Sequence, residues 1–86
     1  MTRQEIYREI DIERERQAEK WGKPHSWGCG DCSSLQVQDT TKGIVLSEEC
    51  GEVSRAILEK DEHGLRKELI QVASVCVAWL ESIQSK

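Results

Sequence analysis

The chain has 86 residues, enough for one small domain, and 12 Lys and Arg against 16 Asp and Glu leave a net charge of −4 with no basic stripe. That balance argues against holding polymeric nucleic acid by its backbone. No apolar run approaches the ~20 residues of a membrane-spanning helix, and the N-terminus lacks a signal-peptide core, so no membrane role is expected; the expected location is the cytoplasm, where the cysteines stay reduced. A domain this short buries only ~60% of its unfolded surface, so a lone copy is marginal and a second copy is expected to complete it. With three Trp, one Tyr and no Phe, packing falls mainly to aliphatic residues.

Thr2-Arg3-Gln4-Glu5 has the capping-box pattern and predicts a helix from there to about Lys20, stopped by Gly22 and Pro24. Its charges pair one turn apart (Glu5/Arg8, Asp11/Arg14, Glu13/Arg16), the pattern of a solvated face. At about 100° per residue, Ile6, Ile10, Glu13, Gln17 and Trp21 share one side. That stripe begins apolar and turns polar without changing direction. Either Glu13 and Gln17 point into a site beyond the end of the core, or the helix outruns its core and they meet water.

Residues 22–40 show no periodicity and are long for a connection in a compact domain, with one helical turn expected over 33–37. They contain His25, Cys29 and Cys32, a thiol pair with an imidazole nearby that supplies three ligands to zinc. The fourth ligand would come from Cys50, His63 or another chain. A redox disulfide and free thiols in a tight turn are the competing readings of a single CxxC.

A second helix is predicted from Thr40 or Thr41 to about Lys60, with Val45, Leu46, Cys50, Val53, Ala56 and Ile57 on one broad stripe. Asp61-Glu62-His63-Gly64 reads as a short turn, making the third helix, from about Leu65 to Ile83, an antiparallel neighbour. That third helix carries the strongest apolar stripe: Leu65, Leu69, Val72, Ala73, Cys76, Trp79, Leu80 and Ile83. Ile70 and Val77 project elsewhere, which suggests a second apolar face for a dimer. The expected fold is all-α, one domain over 1–86, with three main helices in antiparallel arrangement completing a bundle with a second chain.

Glu49 and Glu52 lie inside the second helix's apolar stripe, and Glu48 at its flank. Glu48/Glu52 and Glu49/Glu52 converge at helical spacing, and like charges that close repel. A hard divalent cation between them, held by oxygen ligands, resolves the conflict. All three are equally compatible with an ordinary solvated surface, since glutamate is a good helix former. Glu68, near the start of the third helix, faces the same groove if the register places it opposite Glu52.

The string Ile44-Val-Leu-Ser-Glu48-Glu49-Cys-Gly-Glu52-Val53, followed by Leu65-Arg-Lys-Glu68-Leu-Ile-Gln71-Val, resembles the MazG-type branch of the all-α nucleoside triphosphate pyrophosphohydrolases. Those proteins carry Glu-Glu-x-x-Glu on one helix and Glu-x-x-Asp on the next. Asp11-Ile-Glu-Arg-Glu-Arg-Gln17-Ala-Glu-Lys20-Trp21-Gly22 also resembles the first helix of short phage and bacterial members. Residues from Lys23 to about Lys42 are unmatched. The resemblance implies a homodimer or homotetramer that hydrolyses a nucleoside triphosphate to monophosphate and pyrophosphate with Mg²⁺ or Mn²⁺. By position, Glu48, Glu49, Glu52 and Glu68 would be metal ligands, with Glu49 and Glu52 catalytic, orienting or deprotonating the attacking water. Face geometry and position add Glu13, Gln17, Lys20, Trp21 and Gln71 as substrate contacts. Gln71 stands where the family has Asp: its amide can coordinate through oxygen, but it brings no charge and cannot act as a base. A second reading follows, that of a helical module which binds nucleotide or a protein partner without turning it over.

Overall fold

A computed structural model describes residues 1–86. The fold is all-α apart from one short ribbon. The helices are α1 (Arg3–Trp21), α2 (Asp39–Leu58) and α3 (Glu62–Gln84), and the connection between α1 and α2 contains the antiparallel pair β1 (Pro24–His25) and β2 (Gly28–Cys29). No helix is long and apolar enough to cross a membrane.

The ends of the helices follow from local chemistry. At α1 the capping box is formed, with the Glu5 N–H donating to Thr2 Oγ1 at 3.1 Å and the Thr2 N–H donating to Glu5 Oε1 at 3.4 Å. At the end of α2 the Asp61 N–H reaches the Ala56 carbonyl at 3.0 Å and the Lys60 N–H reaches Ile57 at 3.1 Å. This is the Schellman pattern, whose left-handed position is normally glycine. Here Lys60 occupies it, with φ 54°. The chain then re-enters a helix at once, because the Asp61 carboxylate caps α3 by accepting the Gly64 N–H at 2.8 Å. Residues 62–64, read from sequence as part of a turn, are the first turn of α3.

Helix α3 is the centre of the molecule and packs against both other helices. Helix α2 runs antiparallel to it: Asp39, at the start of α2, accepts from Trp79 Nε1 at 3.0 Å and Lys86 Nζ at 3.4 Å, near the end of α3. Helix α1 runs in the same sense as α3. Ile6 and Ile10 share a shallow groove with Leu65, Leu69 and Ala73, while Arg14 further along α1 bonds Glu81 near the end of α3. The antiparallel arrangement expected from sequence thus holds for α2 and α3 and fails for α1. The long connection carries the chain back between them.

The inner face of α3 is not its most apolar one. Ser74, Ala78 and Ser82 are fully buried, as is nearly all of Val75. Small residues at these positions let the helices approach closely. The two hydroxyls donate to carbonyls of their own helix, Ile70 at 2.7 Å and Trp79 at 2.8 Å, so their burial costs little. Ser82 also accepts a bond of 2.8 Å from Lys42 Nζ, on a lysine sealed between α2 and α3 at 1% exposure. The small core joins Val75 and Ala78 to Cys32 from the connection, with Val45 and Leu46 of α2 packed against them. The stripe expected to form the core is partly left outside: Leu69, Leu80 and Ile83 are each about half exposed. Leu65, Val72, Ala73, Cys76 and Trp79 of the same stripe are half-buried, so the expected face is only partly covered. Periodicity identified a stripe that must leave water, and the structure shows that this chain alone does not cover it.

Candidate functional site

The end of α1, the connection, α2 and α3 enclose a cleft of ≈ 170 Å³. Gln17, Lys20 and Trp21 reach it from α1, Glu48 and Glu49 from α2, and Gln71 from α3, so six of the side chains singled out in the sequence meet in one place. Glu13, Glu52 and Glu68 do not line the cleft but lie near enough to act on its charge. The Glu49 carboxyl is raised above its ordinary range, first by desolvation and then by repulsion from Glu68, Glu48, Glu52 and Glu13.

Only one of these five carboxylates has a cationic partner. Glu13 is held by Arg16 through two bonds of 2.8 and 2.6 Å, the single pair formed of the three expected along α1. Arg16 lines the cleft, and its guanidinium is held above its usual value first by the bond to Glu13, with a weaker contribution from Glu49. Glu48, Glu49, Glu52 and Glu68 make no ion pair within 4.0 Å. Their donor set, oxygen only and unneutralised, suits a hard divalent cation. As the side chains stand, no three His, Cys, Asp or Glu groups are arranged around one metal position.

The zinc candidates are not brought together. His25 uses both ring nitrogens inside the ribbon: Nε2 lies 2.7 Å from the Gly30 carbonyl, and Nδ1 accepts the Trp27 N–H at 3.4 Å. That pattern requires the neutral tautomer protonated at Nε2. Cys32 turns into the core, where burial, followed by the nearby Asp31 charge, pushes its thiol up to about 11. A thiol so raised is poorly prepared as a thiolate ligand. Cys29 remains a free, half-buried thiol. The ribbon is shaped by glycine: Gly30 has φ +95°, and a Cβ there would come within 2.7 Å of Ser34 Cβ.

Four residues of the site were not identified from sequence. Arg14, read as a surface partner of Asp11, instead ties three segments together. It donates to Asp31 at 2.8 Å, Glu81 at 2.9 Å and Gln17 Oε1 at 3.0 Å. Asp31 is 6% exposed and also accepts from the Ser33 N–H and hydroxyl. Burial pushes the Asp31 carboxyl up, but the bonds from Ser33 and Arg14 outweigh it and the carboxyl is held below its ordinary range. Trp27 packs on Trp21 and His25, with ring centroids 5.1 and 4.2 Å away, forming an aromatic wall at the cleft. Arg16, the fourth, had been read only as part of a solvated pair. The sequence carried no signal for the Arg14–Asp31 contact, because its partners are 17 residues apart across an aperiodic segment.

No protein-family model, curated protein or solved structure matches the chain. What defines it is a three-helix, all-α fold with a cleft whose lining includes Glu48, Glu49, Trp21 and Trp27.

Proposed function

We propose that this chain is a divalent-cation-dependent nucleoside triphosphate pyrophosphohydrolase of the MazG-like kind, releasing pyrophosphate from an NTP or dNTP in the housekeeping of nucleotide pools. The observation that carries the proposal is the meeting of Gln17, Lys20, Trp21, Glu48, Glu49 and Gln71 in one cleft, where Glu49 is crowded by carboxylates that lack a counter-charge. Glu48, Glu49, Glu52 and Glu68 would hold Mg²⁺ or Mn²⁺, which supplies charge neutralisation for the phosphate chain and a more acidic water. Glu49 is suited to orient that water and take its proton, because its crowded setting raises its proton affinity. Lys20 and Arg16 are the cations at the cleft available to phosphate oxygens, and the aromatic wall receives the base. A second copy over the exposed Leu69–Leu80 stripe of α3 would complete the bundle, as a homodimer or a pair of dimers.

The test is pyrophosphate release from a panel of NTPs and dNTPs with Mg²⁺ or Mn²⁺. Turnover that is abolished by Glu52→Gln supports the proposal; no turnover with any nucleotide refutes it. Gln71, together with carboxylates not yet gathered around one position, favours a second reading, a nucleotide-binding module without turnover. Metal-dependent nucleotide binding without pyrophosphate release would select that reading.

A further inference from the structure

One polar group of the cleft is fixed in a way that selects among ligands. Gln17 is 7% exposed, and its Oε1 accepts from the Arg14 guanidinium at 3.0 Å. Arg14 is itself held by Asp31 and Glu81. Flipping the amide would set its NH₂ against the guanidinium, donor against donor, so Gln17 is locked with its oxygen inward. Its Nε2 has no protein partner, and since no buried side-chain nitrogen or oxygen in the molecule lacks one, Nε2 keeps solvent exposure on a residue that lines the cleft. Gln17 thus presents N–H donors and no acceptor.

The Asp31 oxygens do not offset this. Oδ1 accepts from Ser33, and Oδ2 accepts from Arg14. The apolar lining of the cleft comes from Trp21 and Trp27, whose rings are tilted 48° to one another, with Cys32, Val45 and Val75. Trp27 is held in place by the His25 contacts to Gly30 and to its own backbone N–H. A planar heteroaromatic ring suits such a surface, because stacking is indifferent to the ring's substituents, whereas a single fixed donor is not.

We infer that Gln17, locked by Arg14, is a specificity-determining residue that donates to a ring carbonyl of a base packed against Trp21 and Trp27. At Gln17, a base bearing a carbonyl is therefore preferred to its counterpart bearing an amine at the same position. An amine there faces the Gln17 N–H groups donor to donor and leaves both unpaired. This inference rests on the nucleotide reading above, but it needs neither metal nor turnover.

The matched probes are UMP against CMP and IMP against AMP, each titrated into the protein in EDTA and followed by tryptophan fluorescence and calorimetry. The expected result is about tenfold tighter binding of UMP and IMP, the size of one hydrogen-bonding mismatch. Gln17→Met should erase that ratio while retaining binding. Trp27→Leu should weaken all four by about tenfold and leave the ratio intact, as loss of one stacking surface does. Circular dichroism confirms that each variant is folded. Equal affinities within each pair, or a ratio unchanged in Gln17→Met, overturn the inference. Failure of all four to bind, with pyrophosphate still released from triphosphates, also overturns it while the proposed enzyme stands. Selective binding without turnover supports it and removes the catalytic proposal alone.

Discussion

Replacing Glu49 by Gln removes one charge from the acidic cluster and keeps its shape. Glu49 faces Glu52 one turn along α2, Glu48 beside it, Glu68 on α3 and Glu13 on α1, all of which raise its carboxyl. A like-charge pair at helical spacing costs about 0.2–0.5 kcal/mol at partial exposure, so these neighbours together cost about 1–2 kcal/mol at low salt. In a domain of this length 1 kcal/mol moves the melting temperature by about 4–8 °C. In EDTA at pH 7, Glu49→Gln should therefore melt above the wild type, by about 4–16 °C. The sign with pH follows from linkage: a folded carboxyl raised above its unfolded value destabilises the protein when ionised, and the penalty fades as pH falls through the folded value. Acidification to about pH 4 should close most of the gap between the two proteins. Adding Mg²⁺ at ten times its dissociation constant should stabilise the wild type by about 1.4 kcal/mol and the variant by less, narrowing the gap from the other side. Differential scanning fluorimetry over pH and Mg²⁺ reads all three effects. A variant that melts at or below the wild type in EDTA, or that gains as much from Mg²⁺, refutes the idea of a carboxylate cluster awaiting a cation.

Asp31→Asn should cost about 2–3 kcal/mol in urea unfolding at pH 7, less than a fully buried pair because Arg14 keeps Glu81. Since the Asp31 carboxyl is held below its ordinary range, that contribution is complete at neutral pH and is lost as pH falls through the lowered value, so the gap should shrink towards pH 3. Leu80→Glu, on the exposed stripe of α3, should reduce the molar mass measured by light scattering to that of one chain without changing helical content; an unchanged mass above one chain rules this face out as the interface. Lys60→Gly should raise stability by about 0.5–1 kcal/mol, because the left-handed backbone at φ 54° strains a side chain and not glycine. Equal or lower stability would show that the Lys60 side chain contributes something its position does not reveal.

The helices were legible because their ends are written in local chemistry. Thr2 and Glu5 announced α1, whereas α2 begins at Asp39 without a side-chain cap, one or two residues before the expected start at Thr40 or Thr41. The start of α3 was missed because Asp61 was read as a turn residue, although aspartate serves equally as an N-cap, its role here. The turn of Gln17 and Trp21 towards the cleft was also legible, since one helical face must keep its direction, whereas Glu13 on the same face pairs with Arg16 and does not line it. What periodicity could not tell was which partner an apolar face meets. The largest residues of α3 dominated the pattern, while Ser74, Ala78 and Ser82 carried no hydrophobic signal and yet form the face that packs. Of the acidic residues singled out, Glu48 and Glu49 reach the cleft from α2, where they sit at regular helical positions, while Glu52 and Glu68 do not line it. The aromatic lining depends on Arg14, Asp31 and a ribbon without periodicity, so only the folded chain brings it into view.

The burial of Lys42 has a consequence for the chemistry of the whole chain. An amine with 1% exposure, capped by Ser82, is closed to acylating reagents and to trypsin while α2 and α3 stay together. Other lysines, such as Lys60 and Lys86, are exposed and open to acylation at all times. Modification of Lys42 therefore proceeds only through the fraction of molecules in which those helices have parted. Peptide-resolved acetylation, with the exposed lysines as internal standards, turns this one side chain into a clock for the opening of the scaffold.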